Sequence, residues 1–88
     1  MALPPDELFR RALGLLQAGE VAEAERLFKD ILRAQPRHAG ALNLLAIVTM
    51  QTGRLAEAED YAKRALKESP QSDATHYNYG LISRRSAA

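Results

Sequence analysis

Two histidines, His38 and His76, are the only imidazoles this 88-residue chain offers for binding a metal or moving a proton. Neither has a second histidine at the spacing that places two ligands on one helix face, and cysteine is absent. A metal site is therefore not expected, and both rings are assigned to surface or packing roles. The pairs Glu23/Glu25 and Glu57/Glu59 put carboxylates close together, the raw material of general acid–base catalysis. They sit at equivalent points of a repeated pattern on outward helices, which makes them a solvated face rather than a catalytic dyad. Gly19 and Gly53 are isolated turn glycines and build no phosphate-cradling loop. Arg84-Arg85 is a lone basic pair whose expected role is solubility. Among the remaining side chains Tyr77, Asn78 and Tyr79 have the best claim to recognition, with Tyr79 expected in the core. No catalytic residue and no cofactor site emerges, so the chain is expected not to be an enzyme and to carry no cofactor.

Composition narrows the partners. Twelve basic and eleven acidic residues are interleaved for a formal charge of +1, which gives no bulk attraction to nucleic acid or an anionic membrane. The Met1–Leu16 stretch has no basic leader before an apolar core, so no secretory signal is expected. The most apolar run, Ala41 to Met50, is interrupted by Asn43 and Thr49 and is about half the length of a membrane span. A soluble, cytoplasmic protein is the expectation.

The elements that position these side chains come from a repeat. GEVAEAERLFKDILRAQP at 19–36 returns as GRLAEAEDYAKRALKESP at 53–70, a strict offset of 34 residues. Gly19 answers to Gly53, Ala24 to Ala58, Lys29 to Lys63 and Pro36 to Pro70; upstream, Leu8 answers to Leu42 and Ala12 to Ala46. A fixed period without insertion marks stacked units that cannot bury their apolar faces alone. Helical spacing of apolar residues predicts five helices. The first starts at Pro5, with Asp6 and Glu7 suited to its positive end, and stops at Gly19. The second spans about Val21–Ala34, with Val21, Ala24, Phe28, Ile31 and Leu32 inward, and a Glu25–Lys29 pair outside. The third, about Ala39–Gln51, is apolar almost all round and must be buried on several sides. The fourth covers Leu55–Glu68. The fifth runs from Asp73 through Tyr79 and Ile82, after which the chain is expected to trail off. Pro36 and Pro70 forbid continuation of the helices before them. A DNA-reading helix-turn-helix is disfavoured because the second helix of each hairpin alternates in charge.

These landmarks resemble the tetratricopeptide repeat: Leu8, Arg11-Ala12, Leu15, Ala24, Phe28 and Pro36 in one unit; Leu42, Leu45-Ala46, Thr49, Ala58, Ala62 and Pro70 in the next; His76, Tyr79-Gly80 and Ser83 in a third that stops half-way. Arg11 stands for the usual Leu, Thr49 and Ser83 for the usual Tyr, and Ala62 for the usual aromatic, so the second hairpin is expected to pack more thinly. The resemblance implies an all-α, helical-hairpin solenoid of about two and a half repeats in one domain: residues 5–38, 39–72, a half repeat at 73–84 and a frayed tail at 85–88. It also implies a non-catalytic protein–protein interaction module whose first helices line a concave groove. On this chain that groove is lined by Phe9, Arg10, Leu13, Asn43, Leu44, Ile47, Met50, Tyr77, Asn78 and Leu81. Phe9 and Leu13 stand where carboxylate-gripping members carry Lys and Asn, so the implied ligand is an apolar or amphipathic protein segment.

Two alternatives are kept. The first is self-association into a dimer or a head-to-tail assembly, a homo-oligomer joined through Tyr79, Leu81 and Ile82 on a fifth helix that no sixth follows. The second is that the chain is a fragment of a larger repeat protein, such as a bacterial glycosyltransferase.

Overall fold

The computed structural model describes residues 3–87; Met1, Ala2 and Ala88, parts of the lead and tail expected to fray, lie outside them. Among these residues there are five helices and no strand: α1 Pro5–Gln17, α2 Val21–Ala34, α3 Ala39–Gln51, α4 Leu55–Glu68 and α5 Asp73–Ala87. Each packs on the next, and α5 also reaches back to α3, giving a body of 43 × 26 × 19 Å.

The punctuation works as the spacing requires. Gly19 and Gly53 have φ of 86° and 81°, a left-handed conformation that a side chain resists. Both close the preceding helix with the same pair of bonds. Gly19 N–H donates to the Leu16 carbonyl at 3.1 Å and Glu20 N–H to Leu15 at 2.8 Å; Gly53 donates to Met50 and Arg54 to Thr49 at the same two distances. This is a Schellman closure, and it turns the chain sharply into the second helix of each hairpin. Between hairpins, α2 and α4 end one residue early: Gln35 and Ser69, each before a proline, leave helical geometry at φ −135° and −134°.

The core lies in two connected clusters. The first gathers Ala12, Ala24, Phe28, Ile31, Ala41 and Leu45, the second Ala46, Met50, Ala58, Ala62 and Ile82. Alanines meet where helices cross, which is why Ala12, Ala24, Ala46 and Ala58 are fully or almost fully buried. The thinning expected at Ala62 is filled in two ways. Ile82 occupies the register position of Val48 and brings one more methylene to the second cluster, and Tyr61 packs against both clusters. Thr49 is buried with its hydroxyl donating to the Leu45 carbonyl at 2.7 Å, so this polar replacement carries no unmet hydrogen bond.

α5 is longer than expected. It continues through Ser83, Arg84 and Arg85 to Ala87, so the described part of the tail is helical. Arg and Ala favour helix, and two cations in the last turn suit the negative end of the dipole.

Two glycine-to-alanine changes should have opposite signs. Gly53→Ala places a Cβ at positive φ and should cost about 1–2 kcal/mol. Gly14→Ala lies within α1 with open space around the new Cβ and should stabilise by about 0.5–1 kcal/mol. Urea midpoints at constant slope would measure both.

Candidate functional site

α3 is buried on most of its circumference. The strip that escapes full burial runs through Gly40, Asn43, Leu44, Ile47 and Gln51, at helical spacing. Thirty-four residues either side, the same positions read Asp6, Phe9, Arg10, Leu13 and Gln17 on α1, and Ala74, Tyr77, Asn78, Leu81 and Arg85 on α5. Leu13, Ile47 and Leu81 are all half-buried and hold the same register position on the three helices. Tyr77 is 65% exposed, the most exposed aromatic among the described residues. Asn78 and Leu44 are half-buried beside it, and Arg10 is exposed and holds Glu7 at 3.1 Å.

Two of the residues expected on recognition surfaces are elsewhere. Met50 is buried in the second core cluster with Ala58 and Ala62 of α4. Ile82 is fully buried in the same cluster and offers nothing to a second copy, whereas Tyr79 and Leu81 are half-buried at its edge. Phe9 is only partly available: its ring packs edge-on against Phe28 at 5.8 Å and against His38 at 5.2 Å. Gly40 permits that approach, since a Cβ there would lie 3.0 Å from the Phe9 ring.

Asn43 joins α3 to α5. Its Nδ2 donates to Thr75 Oγ1 at 2.9 Å, and its Oδ1 is buried without a partner. The bond is therefore worth more broken than made: Thr75→Val strands the whole amide and should cost about 1–3 kcal/mol. Adding Asn43→Leu should recover most of that loss, a non-additivity that a double-mutant cycle by thermal unfolding reads directly.

The acidic face expected to be solvated contains one exception. Glu25 is 12% exposed and is held by Arg54, whose two terminal nitrogens donate to it at 2.5 and 2.7 Å, while Lys29 adds the expected partner at 3.1 Å. Glu57 also touches Arg54, at 3.3 Å. The bidentate pair ties the turn of the second hairpin to α2 of the first. Arg54 hydrogen bonding lowers the Glu25 pKa to about 2, with Lys29 assisting and burial opposing; Glu25 in turn raises that of Arg54. Pair rules that look three or four residues along a helix cannot find a partner 29 residues away. The available signal was the substitution of Arg54 for Glu20 at otherwise matching positions. Glu59, the equivalent of Glu25, has only Lys63 at 3.6 Å and is 35% exposed.

Because the folded pKa of Glu25 is depressed, its contribution is complete above the ordinary carboxylate range and is lost as pH falls towards 2. Arg54→Gln should cost about 2 kcal/mol at neutral pH, allowing for solvent screening of the half-exposed guanidinium. It should also flatten the loss of stability between pH 5 and 2 relative to the parent chain, measured by urea unfolding at each pH.

An open depression of about 320 Å³ lies on α4, lined by Ala56, Glu57, Asp60, Tyr61 and Arg64. The Arg64 guanidinium already lies over the Tyr61 ring, 5.6 Å from its centre. No group of three or more His, Cys, Asp or Glu among the described residues could hold a metal ion. No described helix is long and apolar enough to cross a membrane.

Comparison with known proteins gives three findings. A family model described as tetratricopeptide repeat matches residues 9–73. Cellulose synthase 2 operon protein C of Komagataeibacter xylinus is 38% identical over 52 residues, 59% of this chain and 4% of that protein. Rhomboid protease GluP of Bacillus subtilis (strain 168) is 29% identical over 75 residues, 85% of this chain and 15% of that protein. The chain thus spans only a small part of the length of either relative.

Proposed function

Because the chain belongs to the tetratricopeptide-repeat family, whose repeats are generally non-catalytic protein–protein interaction modules, we propose that the shared face of α1, α3 and α5 binds an apolar or amphipathic segment of another protein. The observation that carries this reading is the unburied strip of α3. A helix without one ionisable residue leaves Leu44 and Ile47 half-open, beside Leu13, Leu81 and the exposed Tyr77. Such a strip has the character of an interface core: aliphatic and aromatic in the middle, with Gln17, Gln51, Arg10 and Arg85 at the rim. The relatives support a recognition role. One is named for a cellulose synthase operon and the other as a rhomboid protease, so the segment they share with this chain is common to proteins of unlike activity. On this reading the chain performs no chemistry of its own.

Selection from a displayed random peptide library tests the reading. Recovered peptides should be rich in aliphatic and aromatic residues, and Ile47→Glu or Tyr77→Glu should weaken their binding at least tenfold while the far-ultraviolet circular dichroism stays unchanged. Peptides that bind both variants as well as the parent would remove the groove from consideration.

A second reading, self-association, rests on Tyr79 and Leu81, half-buried on α5 with no further helix over them among the described residues. Light scattering over a hundredfold range of concentration separates the two: a constant mass near 9.7 kDa favours the peptide groove, and a rising mass that Leu81→Glu abolishes favours assembly.

A further inference from the structure

The residues that precede α1, α3 and α5 occupy one position of the repeat: Pro4, His38 and Ser72. Pro4 makes no side-chain cap. Ser72 Oγ accepts the N–H of Thr75 at 3.2 Å, and His38 Nδ1 accepts the N–H of Ala41 at 3.0 Å. The same capping bond is thus made by a hydroxyl at one joint and by an imidazole at the other. The hydroxyl is indifferent to pH across the physiological range, and the imidazole is not.

A backbone amide only donates, so the contact fixes the state of the ring. Nδ1 must carry its lone pair, and the proton of the neutral imidazole must be on Nε2. A second proton has Nδ1 as its only site. There it would turn the acceptor into a donor pointed at a donor, and place a positive charge at the positive end of the α3 dipole. The Phe9 ring, 5.2 Å away, attracts a charged imidazole weakly, but no ion pair adds to it. α3 has no ionisable residue. α1 brings Phe9 against the ring; its first-turn charges are Asp6 and Glu7, and Glu7 is bound to Arg10. In the preceding turn Arg37 is bound to Glu68 of α4, and Arg64 of α4 reaches the Pro36 carbonyl. At the end of α2, Arg33 is bound to Asp30, and α5 starts with Asp73. No carboxylate of the described residues is ion-paired with His38.

We propose that His38 is a proton-operated cap: neutral, it closes the first turn of α3; protonated, it releases that turn, loosening the joint between the hairpins. The cap's contribution is present while the ring is neutral and is lost when Nδ1 takes a proton. The other histidine serves as a control. His76 Nε2 lies 2.6 Å from the Pro70 carbonyl, a bond in which the ring donates and which a second proton leaves in place.

The test compares thermal midpoints at pH 7.5 and 5.5 for the parent chain, His38→Ser and His76→Gln. Losing one cap in a domain of this size corresponds to a fall of roughly 4–8 °C. The parent and His76→Gln should show it. His38→Ser, which installs the cap already used at Ser72, should move much less. A parent midpoint that does not fall, or an equal fall in His38→Ser, overturns the proposal. Should His38→Ser not fold, nuclear magnetic resonance of the parent decides: Nδ1 should be unprotonated at pH 7.5, and the Ala41 amide shift should titrate with the ring. A proton on Nδ1, or an Ala41 amide that ignores the titration, overturns it equally.

Discussion

A helix with so little solvent side needs neighbours round most of its circumference, and α3 is that helix. Its thirteen residues include no charge, and seven of them are buried. Isolated, such a segment would expose its apolar surface in every direction. It is stable only when α2 covers one flank, α4 another, and α5 closes over the turn of chain that begins it. The hairpin geometry that delivers those neighbours is local: two left-handed glycines and two prolines set where each helix stops. The requirement they satisfy is not local, which is why the repeat is a stack and not a series of independent hairpins.

A stack of identical units would be interchangeable at every level, and this chain departs from identity where the units join. Arg54 replaces Glu20, and the guanidinium grips Glu25 of the preceding unit. Arg37, in the loop between hairpins, holds Glu68. His38 replaces the hydroxyl that Ser72 supplies at the next joint. Within each hairpin the helices meet at the same pair of buried alanines, Ala12 with Ala24 and Ala46 with Ala58. The joints instead depend on long polar side chains, whose bonds respond to pH and salt more than alanine contacts do.

That division explains what the sequence made legible. Helix bounds, turn glycines and the inward stripe of α2 follow from periodicity, and all are rules about neighbours within about four residues. The Glu25–Lys29 pair belongs to the same class and is present. What escaped is whatever depends on which helix lies opposite: the Arg54 clamp on Glu25, the filling of the Ala62 gap by Ile82 and Tyr61, and the burial of Met50. Met50 shows the limit well. A face assigned by offset alone included it, yet it is one residue round the helix from the unburied strip and is buried with Ala58 and Ala62 of α4. The end of α5 escaped for a different reason, since no apolar periodicity marks a helical turn made of Ser, Arg and Ala.

The exposed strip is itself a consequence of the same constraint. On the strip through Asn43, Leu44, Ile47 and Gln51, α3 is left without full cover. Leu44 and Ile47 on that strip stay apolar while remaining partly open to water. Leu44 also packs against the first core cluster. An architecture that buries most of its central helix thus leaves one apolar strip part-open, so the open strip and the stability of the stack arise from one cause.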